Sequence, residues 1–193
     1  GGKLHIPTIS STTSVQLIKE AKKKGLQVSC SVSAHHLTLI DDELDFFDSK
    51  VRVTPPLRTK SDTKALLKGL KDGIIDVITS DHNPIDIEHK KLEFSLAKDG
   101  TIGLESLFGT VNSVLDIETT IKALTINPRA IFGQESITIE KDTVANLTLF
   151  NPEGISVFSK ENILSTSKNS AFIGKELKGK VYGIFANKKL VLN

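Results

Sequence analysis

Strand-like and helix-like segments alternate along the first 80 residues, and this order constrains the fold more than any other feature. Residues 3–9 form a short apolar stretch. Ser10, Ser11 and Thr12 then offer capping hydroxyls to a helix with Val15, Leu17, Ile18 and Ala21 at helical spacing. Gly25 is placed to end that helix in a left-handed turn. A second strand over 27–33 stops at Ala34-His35-His36. Past a loop rich in Asp and Glu, Val51-Arg52-Val53 reads as a third strand, closed by Thr54-Pro55-Pro56. Ser61 caps a helix through Ala65, Leu66, Leu67 and Leu70, which Gly73 terminates, and a strand over 74–79 leads into Ser80-Asp81-His82. A β-α-β-loop-β-α-β order calls for parallel strands covered by helices. Polar residues fall just beyond the strands, where parallel α/β folds place their sites. A closed barrel and an open sheet both satisfy the pattern.

The spacing predicts helix over 104–124 and a short last helix from Asn127 to Gly133. Texture changes there: β-prone runs at 137–139, 147–150, 181–185 and 190–192 alternate with turn signals at Asn151-Pro152, Lys178-Gly179 and Asn187-Lys188. The chain thus divides into an α/β part, 1–133, and a small β-module, 134–193.

Composition removes several function classes. A net charge of +2 and 25% charged residues are ordinary for a soluble globular chain. Its densest basic run, Lys22-Lys23-Lys24, ends a helix, where cations suit the dipole. One tyrosine and no tryptophan argue against a nucleic-acid surface. The single cysteine, Cys30, rules out an intramolecular disulfide and a thiolate zinc cluster, and reads as core filler. No apolar run approaches a membrane span and no signal peptide pattern opens the chain, so a cytoplasmic location is expected. Gly1-Gly2 runs straight into the core-like Leu4-His5-Ile6, which predicts a fragment that self-associates through unpaired strand edges.

Single residues stay open to two readings. His35-His36 is either a surface pair or a site-lining pair; Asp81 before Asn83-Pro84 is either a turn residue or a site residue. His82 either orients Asp81 or bonds locally. Gly100 either permits a turn or brings a backbone amide close to a ligand. Arg58 is open to a structural pairing with a loop carboxylate, and His5 to packing in the sheet wall.

Taken in order, Leu4-His5-Ile6-Pro7-Thr8-Ile9-Ser10, Val32-Ser33-Ala34-His35-His36-Leu37, Thr54-Pro55-Pro56-Leu57-Arg58, Thr79-Ser80-Asp81-His82-Asn83-Pro84, Gly100-Thr101-Ile102-Gly103-Leu104-Glu105 and Asn127-Pro128-Arg129-Ala130-Ile131-Phe132-Gly133 resemble dihydroorotases. The resemblance is to the type that pairs with aspartate transcarbamoylase, within the cyclic amidohydrolase group. It continues through 142–150, 167–172 and Gly179-Lys180-Val181. It implies the C-terminal half of a (β/α)8 barrel, about strands five to eight, followed by part of a β-sandwich-like domain. The first four strands of such proteins carry a His-x-His pair and a bridging carboxylate, and this chain has no His-x-His.

The resemblance further implies zinc as cofactor, His35 and Asp81 as metal ligands, and Asp81 as the catalytic proton acceptor. Thr54, Arg58 and Gly100 fall at substrate-binding positions. Three positions depart from the pattern. Thr8 stands where relatives place a ligand histidine, Thr54 where they place an asparagine that holds the ring, and Ile85 where they place a histidine for the substrate carboxylate. His5 cannot replace the missing ligand if strand alternation sets it on the face opposite Thr8. The implied activity is reversible hydrolysis of dihydroorotate to carbamoyl aspartate in pyrimidine synthesis, impaired by these departures. The alternative is a catalytically silent subunit that assembles with aspartate transcarbamoylase. A hydantoinase or allantoinase is a third reading, which Pro55-Pro56-Leu57-Arg58 disfavours.

Overall fold

In a computed structural model that describes all 193 residues, three parallel strands form the first sheet: β1 (Leu4–Ile6), β2 (Val28–Ser33) and β3 (Val77–Thr79). Their order is β1-β2-β3, with Leu4 opposite Val28 and Ser31 opposite Val77. Helix α1 (Thr12–Lys23) joins β1 to β2, and α2 (Lys60–Lys71) precedes β3. Ser11 caps α1 by accepting from the Ser14 amide, and Gly25 lies just beyond it at φ 74°. The cap of α2 is Thr59, not Ser61. Thr59 is better placed because Asp62, which it binds, also accepts from the backbone and hydroxyl of Thr12, tying the two helix starts together.

The main core lies between sheet and helices. Ile18, Leu66 and Leu70 pack with Ile9, Cys30, Val32, Ile75 and Ile78, and Val111, Leu115 and Ala123 close it. Each large aliphatic side chain buried here contributes about 1.5–3 kcal/mol. Helices α3 (Ile87–Lys90) and α4 (Leu107–Asn112) follow β3. The helix expected over 104–124 is interrupted, because Asp116 caps a new start, α5 (Ile117–Ile121). A π-turn, Lys122–Ile126, then leads without a break into α6 (Asn127–Ile131). Pro128 has no N–H and its ring crowds the carbonyl four residues back, which favours the wider turn before it.

Val51-Arg52-Val53 is not a strand. A 3-10 turn, Ser49–Val51, precedes extended backbone outside the sheet, and β2 pairs directly with β3. Val51 and Val53 alternate with Arg52 because both are buried in a second core, with Leu39, Leu57 and Ile102. Alternation there reports burial, not pairing.

The remaining chain builds an antiparallel sheet of β4 (Leu147–Val157), β5 (Glu176–Ala186) and β6 (Lys189–Leu192). Asn187 and Lys188 do form the turn between β5 and β6, both at positive φ. The other two turn signals lie inside strands. Asn151-Pro152 and Lys178-Gly179 face each other where the β4–β5 register slips between Asn151 and Ile155. Proline cannot donate to a ladder, so it sits in the bulge. Residues 137–139 form no strand. The connection between β4 and β5 returns to the α/β part: its Phe158, Ile163, Ala171 and Phe172, with Leu177 of β5, complete the second core. Both sides of the composition change at 133/134 therefore share one cluster. No helix is long and apolar enough to cross a membrane.

Candidate functional site

The C-terminal ends of three neighbouring parallel strands open on one edge, and three polar side chains follow them. Thr8 lies two residues past β1, His35 sits in a one-turn 3-10 helix (Ala34–Leu37) directly after β2, and Asp81 lies two residues past β3. Thr8 and Asp81 both adopt left-handed backbone, at φ 49° and 46°. Aspartate tolerates that region, but a β-branched threonine is strained in it. Because β1 ends at Ile6 and the chain turns at Thr8, strand alternation does not govern the faces of His5 and Thr8. His5 bonds Ser29 through Nδ1 at 2.8 Å and packs on the Phe132 ring, as a wall residue.

The two adjacent histidines have separate fates. His36 is satisfied at both nitrogens: Nε2 faces the carbonyls of Pro55 (3.0 Å) and Pro56 (3.3 Å), and Nδ1 lies 2.6 Å from Ser33 Oγ. Carbonyls only accept, so Nε2 carries the proton and Nδ1 accepts from the serine. His36 thereby pins the end of β2 to the Pro55-Pro56 segment. His35 is 1% exposed, and its Nε2 has no hydrogen-bond partner. That nitrogen lies 3.6 Å from Asp81 Oδ2, too long for a hydrogen bond. Burial, with His36 adding to it, pushes His35 down to about 3, so its ring is neutral at physiological pH. Burial raises the Asp81 carboxyl, and His36 partly offsets this.

These shifts set an acid response. An unfolded histidine titrates near 6.5, so below that pH the unfolded chain takes a proton that folded His35 refuses. Its contribution is complete above about pH 6.5 and falls away toward pH 3, a loss of about 2 kcal/mol at pH 5. His36, also lowered by burial, acts in the same direction. Asp81 opposes both, since its raised carboxyl gains a proton in the folded chain first. The urea midpoint is therefore expected to drop between pH 7 and pH 5, and His35→Gln to flatten the drop. A midpoint that does not move would contradict this account.

A second group of residues converges on Asp99 and Gly100. Thr54 Oγ1 donates to Asp99 Oδ2 at 2.6 Å, and Arg52 Nε donates to Oδ1 at 2.7 Å. Gly100 donates to the Arg52 carbonyl at φ 138°, and a Cβ there would meet Asn83 and Ile85. Asn169 Nδ2 donates to the Gly100 carbonyl. Thr54, Ile85 and Gly100 thus share one rim, connected to Asp81 through His82 and Asn83. Arg58 lies apart, exposed, with Nε 3.3 Å from Ser10 Oγ. His82 does not orient Asp81 through Nδ1: that atom accepts from the amides of Gly103 (3.2 Å) and Leu104 (3.3 Å), holding the 100–104 strap against β3. Asp99 and Asn169 escaped the sequence reading, since their partners lie 45 to 69 residues away along the chain.

A zinc ion takes three or four protein donors at about 2.0–2.3 Å. His35 and Asp81 offer two, and nowhere do three His, Cys, Asp or Glu side chains converge. The residues of this chain by themselves do not make up a zinc site.

No family model matches the chain. It is 38% identical over 194 residues to the dihydroorotase of Caldicellulosiruptor saccharolyticus, covering 97% of this chain and 45% of that protein. It is 37% identical to the dihydroorotase of Elusimicrobium minutum, covering 98% of this chain and 45% of the relative. The chain thus spans a little under half the length of the curated relatives it matches. Among solved structures, the L-hydantoinase (dihydropyrimidinase) from Arthrobacter aurescens superposes with a TM-score of 0.91 at 22% identity, over all of this chain and 45% of that one. The inactive dihydroorotase-like domain of the Chaetomium thermophilum CAD-like multifunctional protein gives 0.67 at 24% identity, over 97% of this chain and 50% of that one. At such identities these structures share the fold. By sequence this chain is a homologue of dihydroorotases, and its α/β part has the fold of part of a (β/α)8 barrel.

Proposed function

We propose that this chain is the C-terminal half of a dihydroorotase-type cyclic amidohydrolase of cytoplasmic pyrimidine biosynthesis, with an impaired site. One observation carries the reading: a buried, neutral His35 whose unpartnered Nε2 faces Asp81 across 3.6 Å. A buried nitrogen without a partner costs about 1–3 kcal/mol, which is sustained where the lone pair has a ligand to meet. Here His35 and Asp81 are two metal donors of a set completed by the other half of the protein. Asp81, its carboxyl raised by burial, is suited to take a proton from an attacking water. Thr54, Gly100 and, further off, Arg58 line the substrate side.

A second reading has its own support. Thr8 offers a hydroxyl where the third strand-end donor is needed, the Thr54 hydroxyl is already committed to Asp99, and Ile85 is apolar. These features favour a silent subunit kept for assembly with aspartate transcarbamoylase, and the free edges of β1 and β3 favour self-association of the chain by itself. Assay of the full-length protein with dihydroorotate, alongside zinc analysis, separates the two. The impaired enzyme is expected to show weak but zinc-dependent turnover. A silent subunit shows none and binds aspartate transcarbamoylase. Ordinary dihydroorotase rates with two zinc ions per chain would remove both readings. Faster turnover of dihydrouracil or allantoin would transfer the site to the hydantoinase or allantoinase alternative.

A further inference from the structure

The Asp99 carboxylate is held at both of its oxygens. Each of its oxygens takes one directed donor, Arg52 Nε at 2.7 Å and Thr54 Oγ1 at 2.6 Å. A guanidinium and a hydroxyl converging on two oxygens are the donors that a bound carboxylate ligand meets. The Arg52 guanidinium is itself fixed, donating through Nη1 to the Phe94 carbonyl and lying 5.5 Å over the Phe94 ring. Behind it, the buried Lys90 ammonium donates to the Lys98 carbonyl at 2.7 Å. Thr54, Arg52 and Lys90 all hold the Asp99 carboxyl below its ordinary range. Without that carboxylate Arg52 loses its ion-pair partner, and Lys90 keeps only the weaker influence of Asp48. A cavity of about 360 Å³ adjoins it, walled by Arg52, Thr54, Asp99, Leu57, Pro56 and Phe94 among others. The Asp99 and Arg52 side chains are 42% and 26% exposed, so solutes reach them.

We propose that Asp99 is an internal stand-in for a ligand carboxylate: it occupies the anion subsite on the Thr54–Gly100 rim and keeps small carboxylates out. The placing of this subsite beside a catalytic centre rests on the function proposed above; the anion chemistry does not. Backbone contacts hold the loop independently of the side chain, through the Gly100 amide on the Arg52 carbonyl and Asn83 Nδ2 on the Asp99 carbonyl. Asp99→Ala is therefore expected to empty the subsite without unfolding the strap.

The test titrates malonate against the full-length protein and reads thermal stability and calorimetric binding, with chloride at matched ionic strength as the control. Asp99→Ala is expected to bind malonate saturably, about 10-fold or more tighter than the parent protein, as the release of a charge-assisted pair allows. Asp99→Asn keeps the side chain in place and is expected to bind no better than the parent. Adding Arg52→Gln to Asp99→Ala is expected to abolish the gain. Equal responses of Asp99→Ala and the parent protein overturn the proposal, and so does a gain that survives Arg52→Gln. Should Asp99→Ala fail to fold, Asp99→Ser is read by the same titration and the same criteria. Because neither readout needs turnover, an inactive protein leaves this test intact.

Discussion

Restoring Thr8→His, Thr54→Asn and Ile85→His together in the full-length protein is expected to raise kcat/KM for dihydroorotate by about two orders of magnitude or more. Thr8 contributes the largest share. It follows β1 as His35 follows β2 and Asp81 follows β3, so an imidazole there adds a third donor on the same sheet edge. Changes around a metal's ligands commonly alter affinity or activity about 10- to 100-fold. Backbone strain favours the change as well, because histidine tolerates φ 49° better than a β-branched residue. Under the proposed function, the other two substitutions act on the substrate. Thr54→Asn offers an amide donor and acceptor where a hydroxyl is now spent on Asp99, and Ile85→His places a donor beside Gly100. A hydrogen bond to a charged group contributes about 1.5–3 kcal/mol, each 1.4 kcal/mol being tenfold in rate. Steady-state kinetics and zinc content are measured on the parent, each single variant and the triple. A folded triple variant with neither more zinc nor faster turnover would show that these residues do not hold the assigned positions. A parent protein already at full activity would sink the impaired and silent readings alike.

Gly103→Ala is expected to cost about 3 kcal/mol or more, lowering Tm by roughly 10 °C. A Cβ at Gly103 would land within the van der Waals envelope of the Ser80 carbonyl oxygen, a backbone atom at the end of β3. Neither partner can rotate away. Gly103 is buried, and its amide donates to His82 Nδ1, so the strap cannot lift without giving up that bond. If β3 yields instead, Ser80 and Asp81 shift together and the His35–Asp81 approach opens. Gly69→Ala provides the contrast within the same chain. There the new Cβ meets only side-chain atoms, of Ile75 at 3.1 Å and Val15 at 3.2 Å, inside a helix where alanine is favoured by up to about 1 kcal/mol. Its net effect is expected within about 1 kcal/mol of zero. Thermal unfolding of both variants checks the pair. Equal Tm values would mean that the strap has slack the close approach does not suggest.

Much of the scaffold is legible in the sequence itself. The apolar runs that became β1, β2 and β3, the Ser11 cap, and the glycines that end α1 and α2 are local signals, written within one element's reach. So is the placing of His35 and Asp81 beyond strand ends, which follows from parallel topology alone. Other positions carried a signal with two meanings. Val51 and Val53 alternate as a strand would, yet a second core explains them, because any extended segment with one buried face shows the same parity. Asn151-Pro152 and Lys178-Gly179 announced backbone irregularity correctly, but a bulge inside a long hairpin demands the same residues as a turn.

What only the tertiary structure decided depends on groups that arrive from far along the chain. Nothing in the dipeptide His35-His36 says which ring will be satisfied. The carbonyls of Pro55 and Pro56, 19 and 20 residues on, settle His36 and leave His35 Nε2 without a partner. Asp99 is an unremarked Asp before Gly until chain closure brings Arg52 and Thr54 to its two oxygens. Thr8 reads as a simple replacement of a ligand until the fold shows it bent into left-handed backbone. Hydrophobic periodicity and capping are set by neighbours a few residues away, so they survive in the sequence. Hydrogen-bond satisfaction and charge pairing are set by whatever the completed fold delivers within about 3 Å, and that distance is not written in any local pattern.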